Sequence, residues 1–277
     1  MNQITRKKVK SLIPIRKMDG YKGDFGKVLI FAGSKRYTGA AYLCTQGAVK
    51  SGSGLVTLAT DKEIVDIMQI KLNEAMILDN DSNEIRSLIE EADSIAIGPG
   101  MGNNQDTFKA VSYLIGNSSC PIILDADAVT VLEGNLDILK GKTNIILTPH
   151  VGEFSKIIKV SQEIIIKNKI EISRKFAEEF GVTLILKGYN TVVADKESLY
   201  INTTGSSKMA SGGMGDVLTG IIASFVGQGL SPLEASLTSV YIHGYAGDIL
   251  GEDSYNVTAT EVLENLGKAI DRVYKSE

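Results

Sequence analysis

Short apolar runs alternate along the chain with longer stretches in which apolar residues recur at helical spacing. The β-branched runs predict strands at Lys27–Ala32, Leu55–Ala59, Ser94–Ile97, Pro121–Leu124, Asn144–Leu147, Val182–Leu186, Thr191–Ala194 and Ser198–Ile201. Several are unbroken apolar segments, as expected of strands buried on both faces. Between them the pattern predicts helices over 38–52, 62–71, 105–116, 126–140 and 163–180. This alternation implies a mostly parallel sheet covered by helices.

The last third changes character: the strands stop after Ile201 and three helices follow. Ser231-Pro232-Leu233-Glu234 is a capping box with Pro at the first helical position, and Thr258-Ala259-Thr260-Glu261 is a second. Thr191–Ala194 and Ser198–Ile201, three residues apart, predict a hairpin that ends the sheet. No linker or repeat divides the 277 residues, so one domain over 1–277 is expected.

Composition narrows the function. Glycine is in excess, with 28 residues, against a usual ~7%, while Pro is scarce. The glycines therefore serve turns or close backbone approaches to a ligand. A net charge of −4 argues against nucleic acid as a partner. Cys44 and Cys120 each sit among apolar residues and read as reduced thiols. The basic N-terminus lacks the apolar run of a secretory signal, and no stretch is long enough to span a membrane. A cytoplasmic protein is expected.

The strongest motif is the segment from Asn202 to Gly220, where a glycine-rich loop runs into an apolar helix. Free N–H groups at a helix start bind anions, and Gly212, Gly213 and Gly215 let backbone approach a phosphate. Asp216 then lies at the helix start, either as a simple cap or as the base that takes a proton from an attacking hydroxyl. Leu186-Lys187-Gly188-Tyr189-Asn190-Thr191 follows a buried strand. Lys187 there is either a cation in the crevice at the strand ends or an exposed hairpin lysine.

Other strand ends carry weaker signals. Ile97-Gly98-Pro99-Gly100-Met101-Gly102-Asn103 resembles a dinucleotide fingerprint but has Asn103 where the third glycine belongs. Gly134…Gly141-Lys142-Thr143 is not a P-loop, because its first glycine is one residue early. Asp127 and Gly152 are each candidate caps of a following helix. His150, one of two histidines, lies at a strand end, and His243 lies on an apolar helix face. The Cys and His content does not suit a zinc site, and the nucleophile elbow is absent.

In order, the motifs KGDFGKVLIFAGS (22–34), YTGAA, SGSGLVT, IGPGMG, ILDADA, LTPHVGEF, LKGYNT and ASGGMGDVLTG resemble the ADP-dependent NAD(P)H-hydrate dehydratases. These form a branch of the ribokinase-like small-molecule kinases. The resemblance implies a three-layer α/β/α fold with a mostly parallel central sheet. It implies removal of water from the S epimer of hydrated NADH or NADPH, with ADP (or ATP) and Mg²⁺ as cofactors.

By the same resemblance Asp216 is the catalytic base. Lys187, Gly188, Tyr189, Asn190, Thr191 and Gly215 bind the nucleotide. Ala41, Gly100, Gly102, His150 and Asp216 contact the hydrated cofactor. No dedicated metal site is implied, and relatives form tetramers, so a homo-oligomer is expected. Ser206-Ser207-Lys208 departs from the family's usual Asn-Pro-Gly and adds a charge before the anion site. The short segment before the matched motifs predicts no epimerase activity. Two other readings remain: a kinase of a vitamin-precursor alcohol on the same fold, and a non-catalytic nucleotide sensor.

Overall fold

The computed structural model describes residues 2–276. Ten strands form one sheet: β1 (Asn2–Gln3), β2 (Lys27–Phe31), β3 (Leu55–Thr60), β4 (Met76–Asp79), β5 (Ser94–Ile97), β6 (Ile122–Leu124), β7 (Ile145–Leu147), β8 (Thr183–Leu186), β9 (Thr191–Ala194) and β10 (Leu199–Asn202). Their order is β1-β10-β9-β8-β7-β6-β5-β2-β3-β4. Only β9 opposes its neighbours; every other pairing is parallel.

Twelve helices surround the sheet: α1 (Arg6–Leu12), α2 (Thr38–Lys50), α3 (Val65–Lys71), α4 (Ile85–Glu91), α5 (Gln105–Asn117), α6 (Asp127–Thr130), α7 (Val151–Ile158), α8 (Gln162–Lys167), α9 (Lys169–Phe180), α10 (Met214–Gly227), α11 (Pro232–Gly251) and α12 (Ala259–Tyr274).

Alternation within the buried strands divides the core into two layers. Val28, Ile30, Ile123, Ile146 and Ile185 face one way and join the buried faces of α2, α10, α11 and α12. Leu29, Ile95, Ile97, Leu124, Leu147 and Leu184 face the other way and pack with α5, α7 and α9. The three-layer arrangement is the expected one. α10 lies deepest, with every residue from Val217 to Val226 buried. At its centre, a Cβ on Gly220 would stand 2.0 Å from the Cys44 carbonyl oxygen, so only glycine lets α10 approach α2 this closely.

Several expectations are corrected. The hairpin β9–β10 does not end the sheet, because β1 pairs outside β10. The predicted helix 126–140 is only the single turn α6 and a 3-10 turn at Leu136–Leu139, since the chain turns at Gly134 with φ +78°. The predicted helix 163–180 is two helices broken at Asn168. Strand ends shift by a residue, and β1, β4, α1 and α4 were not foreseen. Both predicted capping boxes are present, at Ser231 and Thr258.

The chain places β2, β3 and β4 to one side and then returns to place β5 on the other side of β2. In such sheets ligands bind beyond the carboxyl ends of the strands. There the chain carries the Gly98–Gly102 turn after β5, Asp125 after β6, Thr148 to His150 after β7 and Lys187 after β8.

Candidate active site

A cavity of about 580 Å³ opens at these strand ends, between the turn after β8, the loop before α10 and one face of α11. It brings together His150, Lys187 to Thr191, Gly215 and Asp216, eight of the residues singled out in the sequence. Leu218, Met209, Met214 and Val240 supply apolar wall, and His243 lines it as well.

Lys187 sits at the centre of a buried charge network. Its Nζ donates to Oδ1 of Asp125 at 2.7 Å. Thr148 Oγ1 donates to the same oxygen and Thr219 Oγ1 to the other, each at 2.7 Å. Burial alone would push the Asp125 carboxyl up, but the Lys187 charge and these three donors outweigh it and hold the carboxyl below its usual range. The Lys187 ammonium is raised in turn: burial works against it, and Asp125 and Glu153 more than compensate.

Asp216 stands beside this pair. A Cβ on Gly215 would lie 3.1 Å from Lys187 Nζ, so glycine at 215 lets the ammonium reach the start of α10. Burial first, then the negative charge of Asp125, push the Asp216 carboxyl from its ordinary 3.8 to about 7; Lys187 opposes the rise and Glu153 and Asp127 add to it. Asp216 is not the cap of α10. The cap position is Gly213 at φ +89°, with no side chain on the free N–H groups of the first turn. That turn is therefore open to an anion.

Two candidate caps are reassigned. His150, not Gly152, caps α7: its Nδ1 accepts from Gly152 N–H at 2.9 Å and Glu153 N–H at 3.2 Å. Glu153 completes the box by accepting from His150 N–H at 2.7 Å. With Nδ1 engaged as acceptor, the neutral ring carries its proton on Nε2. Asp127 caps nothing. Its Oδ2 accepts from Gly102 N–H at 2.7 Å and fixes the turn after β5.

That turn forms a second cluster beside the cavity. Ser34 Oγ donates to the Gly100 carbonyl at 2.7 Å and Gly33 N–H to the Pro99 carbonyl at 2.8 Å. Gly100 and Gly102 lie here rather than on the cavity wall. Ala41 is fully buried, with its methyl against Gly33.

Sequence reasoning missed Ala126, which lines the cavity at φ +48°, unfavourable for a residue with a Cβ. It also missed the hydroxyls of Thr148 and Thr219. Their proximity to Asp125 has no local signal, because the pairs are 23 and 94 residues apart. The charge added by Lys208 does not face the anion site: its Nζ donates to the Gly251 carbonyl, at the carboxyl end of α11. Both cysteines are free thiols. No helix among the described residues is long and apolar enough to cross a membrane.

A family model described as NAD(P)H-hydrate dehydratase matches residues 28–268. The chain belongs to this family. An ADP-dependent (S)-NAD(P)H-hydrate dehydratase of Staphylococcus aureus is 35% identical over 264 residues, covering 94% of each chain. The family's solved structures agree. A Bacillus subtilis ADP/ATP-dependent NAD(P)H-hydrate dehydratase, co-crystallized with ATP/Mg2+, superposes with a TM-score of 0.88 at 30% identity, covering 98% of each chain. A ribokinase-like superfamily protein of Enterococcus faecalis V583 gives 0.91 at 26% identity, over 100% of this chain and 97% of that one. The fold is thus ribokinase-like. The chain also matches bifunctional NAD(P)H-hydrate repair enzymes, where it spans about half of their length, 48% and 55% in two cases.

Proposed function

We propose that this protein dehydrates the S epimer of hydrated NADH or NADPH, converting ADP to AMP and phosphate. The observation that carries the reading is Asp216: a half-buried carboxyl poised at about 7, next to the Lys187 cation and the open start of α10. A base needs a pKa near the working pH, and a phosphoryl group in transfer needs fixed N–H donors and a cation.

The order of events follows from this chemistry. Asp216 takes the proton of the ring hydroxyl as its oxygen attacks the terminal phosphoryl group of ADP, and AMP leaves. The C–O bond of the phosphorylated hydrate then breaks, phosphate departs with the bonding pair, and loss of a ring proton restores the double bond. The first-turn N–H groups of α10 and Lys187 hold the phosphoryl oxygens. Lys187 to Thr191 and Gly215 bind the nucleotide, as the cavity they line supports. His150, its Nε2 3.4 Å from Glu153 Oε1, contacts the hydrated cofactor with its exposed ring. The Gly100 to Gly102 turn, pinned by Asp127, supports the same substrate, and Ala41 contributes by anchoring the start of α2 under Gly33.

Mg²⁺ fits this donor set through oxygen ligands only. No group of three His, Cys, Asp or Glu side chains among the described residues is arranged to hold an ion. Asp216 and Glu153 would therefore meet an ion already held by nucleotide phosphates and water. When bound it neutralises phosphate charge. Free thiols at Cys44 and Cys120 support a reducing, cytoplasmic setting. Exposed Ile164, Ile166 and Ile170 support a homo-oligomer, by family resemblance a tetramer. One domain carries the site.

The test adds the protein to purified hydrated NADH with ADP and Mg²⁺. Recovery of the near-ultraviolet absorbance of the reduced nicotinamide, matched by AMP formation, is expected. No recovery, with phosphorylation of a thiazole or pyrimidine alcohol instead, overturns the reading.

A further inference from the structure

Lys169 opens α9, outside the cavity wall, in a segment where no sequence motif marks it. Its Nζ donates to the carbonyl oxygens of both Tyr189 and Asn190, each at 3.1 Å. Those two residues form the outer half of the turn that lines the cavity after β8.

The position is a costly one for a lysine. A cation in the first turn of a helix opposes the helix dipole. Burial lowers its pKa to about 8. Among the described residues it makes no ion pair. The two carbonyls are its hydrogen-bond partners there.

The geometry has a direct consequence for the cavity. A trans peptide points its carbonyl and its N–H in opposite directions, and no peptide among the described residues is cis. With the Tyr189 and Asn190 carbonyls both drawn to Lys169, the N–H groups of Asn190 and Thr191 face away from it, that of Thr191 toward β10, where Thr191 pairs with Asn202. The Asn190 N–H has no protein partner among the described residues. Asn190 itself is held at φ +51°, a left-handed form that asparagine adopts more readily than other residues with a Cβ. Thr191 Oγ1, donating to the Gly188 carbonyl at 2.9 Å, closes the turn from within.

We propose that Lys169 is a positioning residue for the adenine nucleotide, gathering two carbonyls of the 188–191 turn so that the Asn190 N–H is presented to the nucleotide. The inference rests on the nucleotide reading of this cavity, and its effect is confined to nucleotide affinity.

The experiment titrates ADP, by calorimetry and without hydrated cofactor, into the wild type and the Lys169→Met and Lys169→Arg variants. Steady-state kinetics are run on the same samples. Lys169→Met should weaken ADP binding about tenfold, the loss of one charge-assisted pair of hydrogen bonds. Its KM for ADP should rise in step, while kcat and the KM for hydrated cofactor stay within about twofold. Lys169→Arg, which keeps the charge and the donors, should recover most of the affinity. ADP binding unchanged in Lys169→Met overturns the inference alone, as does a fall in kcat as large as the loss of affinity. A wild type that binds no adenine nucleotide overturns the nucleotide reading together with the inference.

Discussion

The Nζ of Lys187 lies 2.7 Å from Oδ1 of Asp125, a carboxylate only 1% exposed. This pair joins the carboxyl ends of β6 and β8 and sets the charge that Asp216 meets. Removing one partner of such a pair leaves the other buried and uncompensated. Lys187→Met should therefore cost about 3–5 kcal/mol of stability, read from urea unfolding at pH 7. The double variant Lys187→Met/Asp125→Asn should recover a large part of that loss. Equal stability in the single and double variants would show that the pair is not coupled.

Asp216 titrating at about 7 gives the reaction an acid limb. The base must be ionised to take a proton, so kcat/KM should rise with pH through about 7 and then level off. Asp216→Asn should lower kcat by roughly 10²–10⁴-fold and abolish the limb, with AMP affinity retained. Calorimetry with AMP and a pH–rate profile check both parts.

The same carboxyl leaves a mark on stability. Its pKa is raised on folding, from 3.8 to about 7, so the contribution of the protonated form is full below about 4 and lost as pH rises through 7. Asp216→Asn should accordingly raise stability by about 1–4 kcal/mol at pH 8 and change it little at pH 4. Thermal unfolding at the two pH values reads the difference. A gain at pH 4 as large as at pH 8 would refute the linkage.

Gly220 tests the packing of α10 on α2. A methyl there meets the Cys44 carbonyl at 2.0 Å and the Ala48 nitrogen at 2.8 Å, both of them backbone. Gly220→Ala should cost about 1–3 kcal/mol or more, although alanine is the better helix former. Because α2 carries Ala41 and α10 carries Asp216, kcat should fall as the helices separate. A variant at least as stable as wild type would contradict the close approach.

Lys208 tests the loop that leads into α10. Its ammonium is spent on the Gly251 carbonyl. Lys208→Gln should leave the KM for ADP within about twofold and remove at most about 1 kcal/mol from stability, the scale of a helix-end interaction. A large, salt-dependent rise in that KM would place the charge at the phosphates instead.

Much of the architecture was legible because it is local. Strands such as Ser94–Ile97 and Thr183–Leu186 are apolar on both faces, and that alone identifies them as central and covered. Ser231 and Thr258 announce their helices through reciprocal caps. Short polar elements escaped: α1 has Val9 as its only buried residue, and β1 is two residues long. The stretch 126–140 has helical spacing of apolar residues, yet Gly134 turns the chain.

The sequence by itself determined the α/β layering, the strand ends that carry chemistry, and Asp216 and Lys187 as the groups to watch. Hydrophobic periodicity and turn residues act over a few positions, so a reader of the chain can follow them. Only the tertiary structure decided that Thr219 reaches Asp125 across 94 residues, that Lys208 turns to the Gly251 carbonyl, and that Lys169 holds the 188–191 turn. The Asp216 pKa belongs with these, because it is set by lost water and by the charges of Asp125, Lys187, Glu153 and Asp127. Burial and distance exist only once the chain has folded.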